Sequence, residues 1–298
     1  MRAPILSLTT LILTGLTFFA GSGCKTSSDM THGKIPKEYK TGGFAIGCQA
    51  YTFNHFSLFE AIEKTAEAGG KVIEFYPGQK LSKEEPDVIW DHNASDETIA
   101  KVKAKLKEHH VLAVNYGVVN IPADEAQAAK VFEFAKKFNL IGITTESEKS
   151  IDTIEKLVQK YDIKVGFHDH PKIAGNPSYQ MWDPHHVLAL VQDRDARIGS
   201  CADVGHWVRS GLKPVDCLRI LRGRVISSHL KDLNEFGKVD AHDVPYGQGV
   251  SGIKEVLDEL KAQHFQGNIS VEYEYNWDNS VPEVKQCIDF VRAYGAKK

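Results

Sequence analysis

Apolar positions along this chain follow two alternating rhythms. From residue 44 onward, short runs dense in Val, Ile and Phe alternate with longer stretches whose apolar residues recur every three or four positions. The short runs read as strands buried on both faces, and the longer ones as amphipathic helices. The predicted strands are 44–50, 71–75, 111–116, 140–144, 164–168, 197–203, 224–230 and 268–273. Between them lie helical patterns such as SLFEAIEKTAEAGG, SDETIAKVKAKLKEHH, DEAQAAKVFEFAKKFN, SIDTIEKLVQKYD and SGIKEVLDELKAQHF, with a last one in VPEVKQCIDFVRAY. Ser or Asp stands near their starts and Gly or Asn near their ends, as capping requires.

Eight strands alternating with eight helices predict the α/β class and a single-domain (β/α)8 TIM barrel. An open doubly wound sheet would want a glycine-rich phosphate turn after its first strand, and GCQAYTFNHF has none. The later cysteines, Cys48, Cys201, Cys217 and Cys287, form no CxxC pair. Cys48 and Cys201 fall on non-neighbouring strands, which argues against a bridge between them.

The segment ahead of the barrel reads differently. Arg2 precedes an almost uncharged apolar run at 5–20, too short for the ~20 residues of a bilayer span, so it reads as a secretory signal. Gly21-Ser22-Gly23-Cys24 resembles the lipobox of bacterial lipoproteins, with Gly21 where an aliphatic residue is usual. The expected division is a signal peptide at 1–24 with lipidated Cys24, a polar tether at 25–40 and the barrel at 41–298. The expected address is the periplasmic face of a bacterial membrane, with membrane contact through the lipid alone.

Charge narrows the partners. With 36 basic and 39 acidic residues the net charge is -3, which argues against a nucleic-acid groove. The histidines are more telling, because several fall at strand ends, where barrels of this type place their reactive groups. The fourth strand runs into TTESE with Glu146, and the fifth into GFHDH with His168 and His170 on one face. The sixth ends in CADVGHW with Asp203 and His206. The seventh ends in SSHLKD with His229 and Lys231, and the eighth in SVEYEY with Glu272 and Glu274. A single carboxylate at a strand end usually caps a helix, and a single histidine usually packs. Five consecutive strands ending in ionisable groups would be costly to bring together unless a cation compensated them. Mixed carboxylate and imidazole donors suit one divalent Mn, Co, Zn, Fe or Mg ion.

The order D-V-G-H, S-H-L-K-D, V-P-Y-G-Q-G, S-V-E-Y-E over residues 201–274 resembles the xylose-isomerase-like barrel family, and the likeness extends over nearly all of 44–294. That family includes sugar isomerases and epimerases, inosose dehydratases and apurinic endonucleases. In its ketose epimerases one metal is held at the ends of strands five to eight, which implies His168, Asp203, His229 and Glu272 here. The fifth-strand ligand of those epimerases is a glutamate, so His168 is a departure, and Glu146 on the next strand is a candidate for the missing carboxylate. The resemblance also implies substrate contact by His206.

The expected reaction is metal-dependent proton abstraction beside the carbonyl of an unphosphorylated keto-sugar, through an enediolate, as in an isomerase or epimerase. Its catalytic candidates are Glu272, His168, His170 and Lys231. The alternative is a lyase that expels the aglycone of a 3-keto-glycoside after the same first step. A non-catalytic sugar-binding lipoprotein and an apurinic endonuclease are further alternatives. Asp203 with His206 and Asp240 with His242 imitate the endonuclease pattern, but its extra histidines on strands two and three are absent. Candidate sugar contacts are His206, Glu274, Tyr51, Tyr116 and Trp207, with Phe53 and Tyr76 also at strand ends. The expected partner is a small sugar or glycoside, with a homo-oligomer in keeping with the family.

Overall fold

The computed structural model describes Met1 and residues 34–296. The signal segment, Cys24 and most of the expected tether lie outside the described residues.

Eight parallel strands close on themselves: β1 (Ala45–Gln49), β2 (Val72–Phe75), β3 (Leu112–Tyr116), β4 (Gly142–Thr145), β5 (Lys164–His168), β6 (Ile198–Asp203), β7 (Val225–Leu230) and β8 (Asn268–Val271). Each strand pairs with its neighbours in chain order, and β8 returns to β1 with Ala45 opposite Asn268. Every strand predicted from the sequence is present, within about two residues at each end. The chain is therefore a TIM barrel.

The helices form where local signals are unambiguous. They are α1 (Leu58–Glu67), α2 (Asp96–Glu108), α3 (Glu125–Lys137), α4 (Ile151–Tyr161), α5 (Pro184–Val191), α6 (Val204–Arg209), α7 (Pro214–Ile220), α8 (Ile253–Ala262) and α9 (Val281–Ala296). Ser57 opens α1 with a capping box: its hydroxyl accepts the Glu60 backbone N–H, and the Glu60 carboxylate accepts the Ser57 N–H. Such a cap contributes about 1 kcal/mol. Ser95, Asp124 and Asp183 cap α2, α3 and α5, each side-chain oxygen accepting one backbone N–H. Between β6 and β7 the chain makes two short helices, α6 and α7, where the expected alternation has one. No helix among the described residues is long and apolar enough to cross a membrane.

The expected tether is partly a correction. Residues 25–40 read as a polar spacer, yet Ile35 is buried against Ala45, Val72 and Val114, with Tyr39 beside it. The folded unit therefore begins before residue 41, because apolar residues at the N-terminal ends of the strands need a cover and this segment supplies it. Cys48, Cys201, Cys217 and Cys287 are buried and unpaired.

Candidate metal centre

Alternation along the strands decides which side chains meet inside the barrel. On β2, Glu74 points inward while Phe75 packs outward on Trp90 and Phe138. On β3, Asn115 bonds Thr144 of β4, while Tyr116 packs on Phe134. On β6 and β7, Asp203 stands opposite His229 in register.

Asp203 does two jobs. It caps α6, its Oδ1 accepting the His206 backbone N–H at 2.9 Å. This cap holds the carboxylate with Oδ2 in the mouth, 3.5 Å from His168 Nε2, 3.9 Å from His229 Nδ1 and 3.6 Å from His206 Nε2. The spacing D-x-x-H is thus the spacing of a helix cap. Glu272 adds Oε2 at 3.1 Å from His229 Nδ1. His168, Asp203, His229 and Glu272 each offer one ligand atom, all within 4.8 Å of one another and all buried.

The donor set fits a divalent ion. His168 Nε2, Asp203 Oδ2 and His229 Nδ1 are buried without an aligned hydrogen bond, although buried polar atoms ordinarily have partners. One cation held among these groups would satisfy all three. Two imidazole nitrogens with two carboxylate oxygens suit the first-row divalent metals. The surrounding charge points the same way. Glu74, Asp169, Asp203, Asp243 and Glu272 are all buried, with the buried ammonium of Lys231 against Asp203 and Glu272 and the guanidinium of Arg209 against Asp243. Burial pushes Asp243 up to about 7 against the pull of Lys231 and Arg209, and burial with the nearby Asp203 charge raises Asp169 well above the carboxylate range. Both shifts follow from the crowding of buried carboxylates at this end of the barrel.

Glu146 stands elsewhere than expected. It meets His168 at the far ring nitrogen, Nδ1, at 3.1 Å, and also contacts His170 and the Tyr179 hydroxyl. Burial opposes its charge, but hydrogen bonds from the two histidines bring its pKa down to about 2. With His168 it forms a second candidate group that includes His170. Within the four-membered cluster, however, His168 takes the fifth-strand place and Glu146 backs it.

Lys231 is also repositioned. It was a candidate acid, yet it is 1 % exposed, with Nζ 3.0 Å from Asp203 Oδ2 and 2.8 Å from both Glu272 Oε2 and Glu274 Oε2. Burial disfavours its charge, but these carboxylates outweigh burial and raise its pKa well above the usual lysine value. The ammonium stays charged and is fixed in place. The same balance, burial opposed by Lys231 and His229, keeps Glu272 ionised well below its ordinary pKa. His206 is driven the other way: burial first, and the Lys231 charge with it, hold the ring neutral despite Asp203.

These groups border a cavity of about 340 Å³. His168, His170, His206, Glu272 and Glu274 line one side, with Gln49, Tyr51 and Tyr76 on another. Tyr51 meets Tyr76 edge-on at 5.2 Å and Trp277 edge-on at 5.9 Å. A larger groove of about 880 Å³ lies on the outer surface along α7 and α8, away from the clustered histidines.

Tyr116 and Trp207, expected to stack on a sugar, are core residues at 0 % and 1 % exposure, as is Phe53. Tyr116 points outward to the helix layer, and Trp207 follows His206 on α6, about 100° around the helix from it. His242 stacks on Tyr275 at 4.4 Å and belongs to neither candidate ion group. Sequence reasoning missed Glu74, Arg209, Asp243 and Trp277. It passed over Asp232 as well, which accepts the backbone N–H groups of Gly247, Gly249 and Ser251 and so ties the V-P-Y-G-Q-G loop to the mouth. A Cβ at Gly249 would overlap Asp232 Oδ1 and the Leu233 carbonyl.

Comparison with known proteins agrees with this architecture. The profile of the xylose isomerase-like TIM barrel family matches residues 142–294. An uncharacterized protein from Parabacteroides distasonis is 30% identical with a TM-score of 0.67, over 84% of this chain and 98% of that one. A D-allulose 3-epimerase from Methylomonas sp. is 14% identical with a TM-score of 0.60, over 84% of this chain and 97% of that one. An L-ribulose 3-epimerase is also 14% identical, with a TM-score of 0.61, over 84% of this chain and 94% of that one. Compared by sequence with curated proteins, the chain matches none. The chain belongs to the xylose isomerase-like TIM barrel family.

Proposed function

We propose that this protein is a divalent-metal-dependent enzyme of the isomerase or epimerase type, moving a proton at the carbon beside the carbonyl of an unphosphorylated keto-sugar. One observation carries the reading: three buried ligand atoms without an aligned hydrogen bond converge with Glu272 beside a cavity of about 340 Å³. A cation held by His168, Asp203, His229 and Glu272 would supply a Lewis acid that stabilises negative charge on a substrate oxygen.

The chain's own residues supply the remaining chemistry. Glu272 is ionised and borders the cavity, so it is in the form that accepts a proton. His170 borders the same cavity from the loop after β5, and its side chain is about half exposed. A neutral His206 beside Lys231 offers a hydrogen bond to a hydroxyl or carbonyl oxygen. Lys231 holds the charge balance and does not border the cavity. Tyr51 and Tyr76 present apolar faces to a ring. No Arg or Lys borders the cavity among the described residues, which supports a substrate without phosphate. Lipidation of Cys24 and a periplasmic address belong to the same proposal, and a Cys24→Ala variant should leave the membrane fraction.

The lyase reading keeps one supporting observation. A groove of about 610 Å³ adjoins the cavity across Tyr76 and gives room for an aglycone. One experiment tests both readings: metal-loaded protein incubated in D2O with ketoses and with a 3-keto-glycoside. Deuterium entering the carbon beside the carbonyl supports proton transfer, and aglycone release favours the lyase. Neither result with any such substrate, in a protein that binds no divalent metal, overturns the proposal.

A further inference from the structure

Both imidazoles of the centre have a glutamate behind them. On β2, Glu74 is fully buried inside the barrel and reaches three other strands. Its Oε1 accepts the Thr144 hydroxyl at 3.0 Å. Its Oε2 accepts the Ser270 hydroxyl at 2.7 Å and the Asn268 amide at 3.3 Å, and lies 3.1 Å from His229 Nε2, within ion-pair distance though out of hydrogen-bond alignment. The opposite ring nitrogen, His229 Nδ1, faces Asp203 and Glu272. His168 repeats the arrangement with its nitrogens exchanged: Nδ1 meets Glu146 at 3.1 Å, and Nε2 faces Asp203.

We propose that Glu74 and Glu146 are positioning residues that select opposite tautomers in His229 and His168, leaving each inward nitrogen with its lone pair free for a metal. The inference rests on the metal-centre reading above. A cation held at the inward nitrogen would leave the ring proton for the outer one, where Glu74 or Glu146 can accept it. The two histidines present different nitrogens to the centre, so ring chemistry alone cannot favour both arrangements. The glutamates supply the difference. A purely structural Glu74 would need only its hydroxyl and amide donors. The close imidazole is the contact that a structural role leaves unexplained. Cys201 also contacts the His229 ring, but a thiol is a weak partner beside a carboxylate. Carboxylates behind ligating histidines commonly matter 10–100-fold in metal affinity.

The test is calorimetric titration of metal-stripped protein with Co²⁺ alone, alongside thermal melting without metal. Glu74→Gln and Glu146→Gln should each weaken Co²⁺ binding about 10–100-fold. Ser270→Ala removes a hydrogen bond from Glu74 without touching the imidazole. It should lower the melting temperature and leave Co²⁺ affinity unchanged. In a His229→Ala background, Glu74→Gln should cause no further loss. Wild-type affinity in Glu74→Gln, or a loss that persists without His229, overturns the role of Glu74. If Glu74→Gln fails to fold, Glu146→Gln decides, and unchanged affinity there overturns the proposal. Wild-type protein that binds no Co²⁺ instead overturns the metal reading itself.

Discussion

Lys231 Nζ lies 2.8 Å from Glu272 Oε2, with neither side chain more than a tenth exposed. The ammonium also faces Asp203 and Glu274, so one buried cation balances three carboxylates. Removing one partner of such a group costs about 3–5 kcal/mol, because the remaining charges lose their compensation. A Lys231→Met variant should therefore melt well below wild type when metal-free. A divalent cation should recover more of the melting temperature in the variant than it adds to wild type. Equal shifts in both proteins would show that the ammonium and the cation do not share these carboxylates.

Glu272→Gln should fold normally and lose at least 10²-fold in solvent deuterium exchange into substrate, as expected when a general base is removed. The amide keeps the side-chain shape but cannot take a proton, and it is a poorer ligand. Circular dichroism checks the fold and NMR reads the exchange. Exchange at the wild-type rate would move the base elsewhere, with His170 the next candidate.

Much of this was legible in the chain because strand period and strand position carry it. His168, Asp203, His229 and Glu272 could be singled out as candidates because they stand at or just past strand ends, where a barrel gathers its reactive groups. Glu74 could not, because it sits within a strand among apolar neighbours, and only closure of the barrel brings it to His229 from 155 positions away in sequence. Tyr116 failed for a related reason. Position at a strand end says that a residue is near the mouth, but alternation decides whether it faces the cavity or the helices, and Asn115 takes the inward place. Trp277 lies in a loop after β8, where neither period applies, and its contact with Tyr51 has no signature in the chain.

Asp232 should matter for stability and for the order of the mouth. Its carboxylate accepts three backbone N–H groups from the loop at 247–251. Asp232→Ala leaves those donors without their acceptor, at about 1–3 kcal/mol for a buried group. The variant should melt several degrees lower and lose amide exchange protection at Gly247, Gly249 and Ser251. Protection equal to wild type at those three amides would show that the loop is held by other contacts.

The aromatic rim separates substrate contact from core packing. Tyr51 is 39% exposed at the cavity and stands edge-on to Trp277, whereas Tyr116 is buried beneath the helices. If Tyr51 carries a sugar ring, its removal forfeits a contact worth about 0.5–1.5 kcal/mol, or up to roughly tenfold in binding. Tyr51→Ala should therefore raise KM by up to about tenfold with kcat little changed, because the ring touches ground state and transition state alike. Trp277→Ala should do the same more weakly, by loosening Tyr51. Tyr116→Phe removes only a hydroxyl bonded to His92, so it should leave KM unchanged. A KM that responds to Tyr116 and not to Tyr51 would place the sugar on the other side of the mouth.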